Sequence, residues 1–411
     1  MDEGRTVVAY TGINVGNLKN NNRSAILKLL NDQVAMSRKD IAAALGLTPA
    51  TVTVICSELI DAGLLRELGE LQDEKRAGRK KILVGINYDR YFVLSVSIES
   101  AETCVSLTNL MGEQGRFKRL KTDTECPPEE FLRRIAAECK ALLRKSGVSG
   151  ESVLGVGVSV PGDVRRETGV SLQAYRVWGE PVPIGAILSE QLELPVIVDN
   201  NVRAFAEAEL IFGSGKDFEN MLFIKWGPGV GSAIVIQKQI YNSNRSKNAE
   251  IGHFVMDPQG PPCRCGRRGC LETFVGTHAM AEQLRFHCTE ARMPQLYERV
   301  GGDLAEIAAH NFTQFLPLED PAMWRIIEED VAMFARSVCH VITMLAPDRV
   351  VLYGRLFEQS ALTERFLANC KALDARYDED YIIRSELWDK IDYIGPLALV
   401  VNQLFLSGQT E

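Results

Sequence analysis

The chain has 411 residues, 46% hydrophobic and 24% charged, with a net charge of −8, the composition of a globular protein of two or three domains with ample core. This acidic balance excludes a protein that coats nucleic acid along its whole length. No basic start precedes an apolar stretch and no run reaches about eighteen uncharged apolar residues, so neither a leader nor a membrane span is expected. Seven of the ten cysteines (Cys56, Cys104, Cys126, Cys139, Cys288, Cys339 and Cys370) are scattered, and a cytoplasmic, reduced protein is expected rather than a disulfide scaffold.

Charge is partitioned along the chain. Residues 17–90 hold twelve Lys or Arg against nine Asp or Glu, a balance of +3 that leaves −11 elsewhere. A small basic module on a large acidic body suits local phosphate contact combined with separate small-molecule sensing. Residues 1–16 read as a tail, and 17–88 as the module.

Within the module, NRSAILKLLN (22–31) is a short amphipathic helix. SRKDIAAALG (37–46) opens on Ser37 as N-cap with Asp40 three residues on, a capping-box spacing, and Gly46 ends it. Thr48 then caps a third helix with Pro49 at its first position, running to Gly63. Its apolar face is Val52, Ile55, Cys56 and Leu59, which leaves Thr48, Ala50, Thr51 and Val54 near an exposed N-terminal end. Two helices joined by a Gly-containing turn, the second presenting small side chains, form the helix-turn-helix that enters a major groove and touches bases and thymine methyls. LLRELGELQ and KKILVGINY follow as hairpin strands with DEKRAGRK at the tip. This is a wing, whose Arg76, Arg79 and Lys80 reach phosphates or a narrow minor groove. A helical cap with a solvated basic loop is the plainer alternative.

From residue 91 the pattern becomes α/β. YFVLSVSIE (91–99) and ETCVSLTNL (102–110) are strands, 127–147 is a long helix with acidic residues early and basic residues late, and 151–162 is a strand ending in Pro-Gly. LPVIVDNN (194–201) runs from a strand directly into the helix VRAFAEAELIFG, and NMLFIKWGPGVGSAIVIQ (220–237) repeats strand, turn, strand. The two hairpin openings, at 91 and 220, suggest two related α/β lobes around a cleft over residues 90–411.

Between 248 and 273, His253, Cys263, Cys265 and Cys270 fall within eighteen residues, flanked by Glu250 and Glu272. Three thiols and an imidazole are the ligands tetrahedral zinc prefers, and with all four positions filled no place remains for a catalytic water. A structural Zn2+ that fixes the loop carrying the two glutamates is the expectation.

These features together resemble the ROK family (repressor, open reading frame, kinase), which joins sugar kinases of actin-like, ribonuclease H-like fold to transcriptional regulators with an added winged helix. The matching segments are EIGH at 250–253, CxCGxxGCLE at 263–272, GVGVSVPGDV at 155–164, VDNNVRAFAEAE at 198–209, GPGVGSAIV at 227–235 and PDRVVLYGRL at 347–356. The resemblance implies that Asn200, Asn201, Glu250, His253 and Glu272 bind sugar hydroxyls and that His253 also ligates zinc. Convergent carboxylates and carboxamides do suit vicinal hydroxyls.

The departures decide between enzyme and sensor. Asn201 stands where family kinases carry a deprotonating aspartate, and losing a general base typically removes ~10²–10⁴ in rate. The first phosphate loop, of the form DxGGT, is SIESAET here, without the aspartate or glycines and with added Glu99 and Glu102; the second gains Pro228, and the last has Gly354-Arg355 for a double glycine. The expectation is a sugar-responsive repressor of carbohydrate genes with no catalytic residues, binding double-stranded operator DNA as a homodimer or dimer of dimers, with no membrane partner. An active kinase bearing a DNA-binding head is the alternative, and a cleft that answers to a partner protein is a third.

Overall fold

The computed structural model describes residues 15–71, 81–113, 115–241 and 249–407. The first helix, α1 (Val15–Gln33), is longer than the apolar pattern of 22–31 indicated. A short strand β1 (Ala35–Ser37) leads into α2 (Arg38–Leu45), where Ser37 Oγ accepts from the Asp40 amide at 3.2 Å and donates to its carboxylate at 2.7 Å. Gly46 closes α2 in the left-handed region at φ 65. Helix α3 (Pro49–Asp61) is capped by Thr48, whose Oγ1 accepts from Thr51 N at 3.2 Å, and its Val52, Ile55, Cys56 and Leu59 are buried as the spacing required. Strands β2 (Leu65–Leu71) and β3 (Lys81–Ile86) pair antiparallel, and β1 joins the far edge of β3, a third strand that three residues of sequence could not announce. The wing residues Arg76, Arg79 and Lys80 lie outside the described residues.

The rest of the chain folds as two lobes with the same sheet plan. In lobe one, β4 (Phe92–Ile98), β5 (Glu102–Asn109) and β6 (Arg116–Lys121) form an antiparallel meander. After α4 (Pro128–Ser146), β7 (Val153–Val160) lies parallel to β4. A small hairpin, β8 (Asp163–Arg165) with β9 (Val170–Gln173), and α5 (Ile184–Leu192) precede β10 (Val196–Asn200), parallel to β7. Helix α6 (Asn201–Phe212) follows without a break. In lobe two, β11 (Met221–Trp226), β12 (Val230–Ile236) and β13 (Gln239–Ile240) repeat the meander. Helices α7 (Glu272–Val275), α8 (Thr277–His287), α9 (Pro294–Arg299) and α10 (Pro321–Leu345) lead to β14 (Arg349–Tyr353), parallel to β11; α11 (Ser360–Leu373) leads to β15 (Ile382–Arg384), parallel to β14. The orders β10-β7-β4-β5-β6 and β13-β12-β11-β14-β15 are therefore the same arrangement twice, the two-lobed actin-like plan expected from the two hairpin openings.

The last helix, α12 (Ile394–Val400), returns to lobe one and lies on β7, where Gly157 allows the approach: a Cβ there would meet Pro396 O at 1.9 Å. Helix α6 packs on α12 and lies between the two sheets, so its buried face carries apolar groups on both sides. One apolar cluster is continuous from Ile26, Leu27 and Leu30 of α1 through Phe205 and Ile211 of α6 to Leu397 and Val401. The N-terminal head is thus fastened to the core by packing and by polar ties: Ser24 Oγ donates to Leu406 O at 2.7 Å and Lys238 Nζ lies 3.2 Å from Asp32. Among the described residues, no single helix is long and apolar enough to cross a membrane.

Candidate ligand cleft and metal centre

A cavity of about 710 Å3 opens between the lobes, and Asn200, Asn201, Glu250, His253 and Glu272 all line it. The strand-to-helix junction β10–α6 sets the first two. Asn200 is the N-cap of α6: its Oδ1 accepts from Val202 N at 2.8 Å and Arg203 N at 3.4 Å, and its Nδ2 donates to Gly162 O at 2.6 Å. Both lone-pair positions and one of two amide hydrogens are thereby used, which leaves Asn200 at most one donor for a ligand. The preceding Asp199 is buried and ion-paired with Arg203 and, at 3.6 Å, with Arg166.

Asn201 is also buried, and its Nδ2 donates to Glu99 Oε1 at 2.7 Å. Glu99 lies in turn 3.5 Å from Lys225 Nζ, which sits 5.5 Å above the Phe205 ring. Lys225 was not singled out from the sequence, although one lysine in the apolar strand MLFIKW is the signal that could have found it. A buried ammonium needs a carboxylate or hydrogen-bonding partners close by.

Glu272 is the first residue of α7. Its Oε2 accepts from Val230 N at 3.2 Å, and Arg264 grips the carboxylate at 2.7 Å on Oε1 and 2.9 Å on Oε2. The Arg264 guanidinium stacks on Tyr175, 4.1 Å from the ring centre. Burial pushes the Tyr175 hydroxyl up to about 12, so it stays a neutral donor and acceptor at the cavity wall. Arg264 and Tyr175 were both missed, because the residue between two cysteines of a metal motif reads as a spacer and an isolated tyrosine carries no pattern. Trp178 packs on the lobe-one core with Nε1 donating to Ser171 Oγ at 3.2 Å, a packing role alongside its place on the cavity wall.

The metal-ligand set comes together as its spacing required. The ligand atoms of His253, Cys263, Cys265 and Cys270 all lie within 4.8 Å of one another. His253 Nδ1 is 3.5 Å from Cys263 Sγ, and Cys265 and Cys270 sulfurs are 3.6 Å apart. Sulfur ligands about 2.3 Å from a tetrahedral ion stand roughly 3.8 Å from each other, so the four groups fit such an ion with little movement. The loop is shaped by Gly269, at φ 59, where a Cβ would fall 1.5 Å from Asp257 O. Cys263 N bonds to Arg267 O at 2.8 Å and Gly269 N to Pro261 O at 2.7 Å. Although burial raises the Cys265 thiol, hydrogen bonds from Arg267, with Nε 3.4 Å away, together with those from Cys263 and Cys270 outweigh it and bring the group down to about 7, which favours the thiolate. The other imidazole nitrogen of His253, Nε2, faces Glu250 at 3.9 Å and so turns toward the cavity. One ring therefore links the His/Cys cluster to the cleft, and a metal held at Nδ1 would leave Nε2 as the protonated donor.

In the head, Ala50 and Val54 are exposed and Thr51 half-buried; Thr48 and Thr51 hydroxyls bond each other at 2.9 Å. This leaves a small, solvent-facing N-terminal patch on α3.

The ROK family model matches residues 93–403, and a winged helix-turn-helix DNA-binding model matches residues 19–66. The chain is 24% identical to a putative xylose repressor of Caldicellulosiruptor sp. (strain Rt8B.4), covering 94% of this chain and 97% of that one. It is also 24% identical to the DNA-binding transcriptional dual regulator NagC of Escherichia coli (strain K12), over 96% and 95%. Among solved structures, a ROK family transcriptional regulator described as a homolog of the E. coli MLC protein superposes with a TM-score of 0.77 at 24% identity, covering 95% of this chain and 97% of that one. A ROK family glucokinase from Streptomyces griseus, in complex with glucose and AMPPNP, superposes with a TM-score of 0.63 at 20% identity over 75% of this chain and 98% of that one. The kinase matches three quarters of this chain and the regulator nearly all of it.

Proposed function

The chain belongs to the ROK family, and we propose that it acts as a sugar-responsive, DNA-binding transcriptional regulator, a repressor of carbohydrate genes without kinase activity. Residues 17–88 form the DNA-binding module, 90–411 the sugar-binding core, and Asn200, Asn201, Glu250, His253 and Glu272 the sugar contacts. Ala50, Thr51 and Val54 read base edges from α3 with Thr48 capping it, while Arg76, Arg79 and Lys80 of the wing hold phosphates. The cluster His253, Cys263, Cys265 and Cys270 holds zinc, which when bound supplies a cross-link that keeps Glu250 and the His253 ring at the cleft. Two heads on one operator call for a homodimer or a dimer of dimers, with half-sites spaced by whole helical turns.

The observation that carries this reading is the path of α6. Its first residue, Asn201, lines the cavity, and the carbonyl of Ile211, near its other end, accepts from Asn31 Nδ2 of α1 at 3.1 Å. A ligand that favours one placement of α6 thus acts on an element to which the DNA-reading head is bonded, as a population shift requires. The kinase reading is disfavoured by the amide of Asn201, which donates to Glu99 and cannot accept a proton.

The test is a thermal-shift series with xylose, glucose, N-acetylglucosamine and their phosphates, followed by fluorescence anisotropy on a duplex selected from random sequences. A ligand that binds only the folded state raises the melting temperature, and the same sugar then changes the affinity for the duplex. No shift with any sugar would sink the sensor, and phosphate transfer from ATP in the presence of magnesium would restore the kinase.

A further inference from the structure

Among the described residues the two lobes meet through buried α6, through the stack of Arg264 on Tyr175 at the cavity wall, and through polar ties that differ in position. At the end of α6 away from the cavity, Glu209 accepts from the Ser385 hydroxyl just after β15, and both residues are buried. At the cavity end one tie is ionic: Glu99, directly after β4 of lobe one, faces Lys225 on β11 of lobe two at 3.5 Å. These strands are equivalent in the two sheets, each the first of its meander and each paired with a parallel strand on the other side. The Lys225 side chain is 9% exposed and that of Glu99 33%, so the pair sits at the boundary between interior and cavity.

The surroundings make the pairing specific. Lys225 stands opposite Gly231 of β12 and Tyr353 of β14, neither of which supplies a carboxylate, and its ammonium lies over the face of Phe205. Glu99 is held from a third side by Asn201. The Asn201 amide can donate to Glu99 only while Glu99 stays in place, so the same carboxylate orients a cavity-lining carboxamide and binds the opposite lobe.

We propose that Glu99 and Lys225 are an inter-lobe latch that sets the opening of the cleft before any ligand enters, and that Glu99 positions Asn201 toward that ligand. With the far end tied by Glu209 and Ser385, the latch acts on the end at which the cavity opens. An ion pair across the inner wall of a two-lobed cleft joins the lobes through the chain's own side chains, and the opening it fixes passes through α6 to the head. The link to DNA rests on the regulatory reading above; the latch itself does not.

The experiment uses the full-length, zinc-loaded protein with one spin label in each lobe, introduced as encoded amino acids at the exposed positions Lys140 and Glu364, so that the native cysteines are untouched. The inter-lobe distance distribution is read without sugar and without DNA in three proteins: the native pair, Glu99→Gln with Lys225→Met, and the swap Glu99→Lys with Lys225→Glu. The neutral pair leaves no orphaned charge, so it keeps the test open if either single variant fails to fold. The latch requires a narrow distribution in the native protein, a broader and longer one in the neutral pair, and recovery in the swap. Operator dissociation constants should follow in the same order, with a change of roughly tenfold in the neutral pair. An unchanged distribution in the neutral pair overturns the latch. Because that measurement contains no sugar, a failed sugar screen would count against the sensor alone.

Discussion

Asn31 of the DNA-reading head and Ile211 at the end of α6 are joined by one buried side-chain to main-chain hydrogen bond of 3.1 Å, and Tyr88 OH donates to the same asparagine at 3.4 Å. This bond ties the head directly to the helix that begins in the cavity. Replacing Asn31 by Ala leaves the Ile211 carbonyl without its partner in an apolar setting, which costs about 1–3 kcal/mol. The expected outcome is a lower melting temperature together with a smaller effect of sugar on operator affinity, compared by anisotropy with and without the sugar found in the screen. An equal sugar effect in the variant would show that the head is coupled by another route.

Metal removal separates scaffold from contact. Elemental analysis should find one zinc per chain in the native protein and none in Cys265→Ser, and the variant should melt at a lower temperature, since metal binding to a folded site adds directly to folding free energy. His253→Ala should do the same and also weaken sugar binding, because its Nε2 faces the cleft. Sugar affinity unchanged in a zinc-free His253→Ala protein would disconnect the two roles.

The core carries two acids in unusual states. Burial raises Glu207 and Glu209 from 4.5 to about 7 each, and Asn402 and Ser385 respectively donate to them. In the unfolded chain these groups lose their protons near 4.5, so between about pH 4.5 and 7 folding takes up protons, and stability falls as pH rises through that window. A shift of this size corresponds to on the order of 3 kcal/mol per group at pH 8. Glu207→Gln keeps an acceptor for Asn402 and removes the titration. It should therefore be more stable than the native protein at pH 8 and about equal at pH 4.5, as read by urea unfolding at both values.

On α3, Thr51→Ala and Val54→Ala alter exposed or half-exposed groups. Affinity for the selected duplex should drop by about 1–3 kcal/mol per lost base contact, with the salt dependence unchanged. Replacing Arg79 and Lys80 together should instead flatten the salt dependence by roughly 2 in slope. Equal behaviour of the two sets would mean that α3 does not read bases.

What the sequence disclosed depended on how local the cause was. Ser37 and Thr48 announce their helices because a cap acts within three residues, and the Cys263, Cys265 and Cys270 spacing announces a cluster because one tight loop brings the sulfurs together. The paired hairpin openings disclosed the two lobes for the same reason. Strand β1 is too short for any periodicity, and β6, RFKRLK, lies at a sheet edge with almost every residue exposed, so no apolar alternation marks it. The partners of the cleft residues were hidden altogether. Glu99 and Lys225 are separated by most of a lobe in sequence, and nothing beside Asn200 announces that its carboxamide caps α6 while the residue lines the cavity. Only the packing of one sheet against another decides such pairs.

A lysine paired inside its own cleft ties the two halves of the molecule to one another through the wall of the chamber that a ligand would enter. Glu99 and Lys225 come from strands 126 residues apart that hold equivalent places in the two sheets, so the repeated plan of the lobes brings the two charges face to face. A change of charge at either position is therefore felt in both lobes at once.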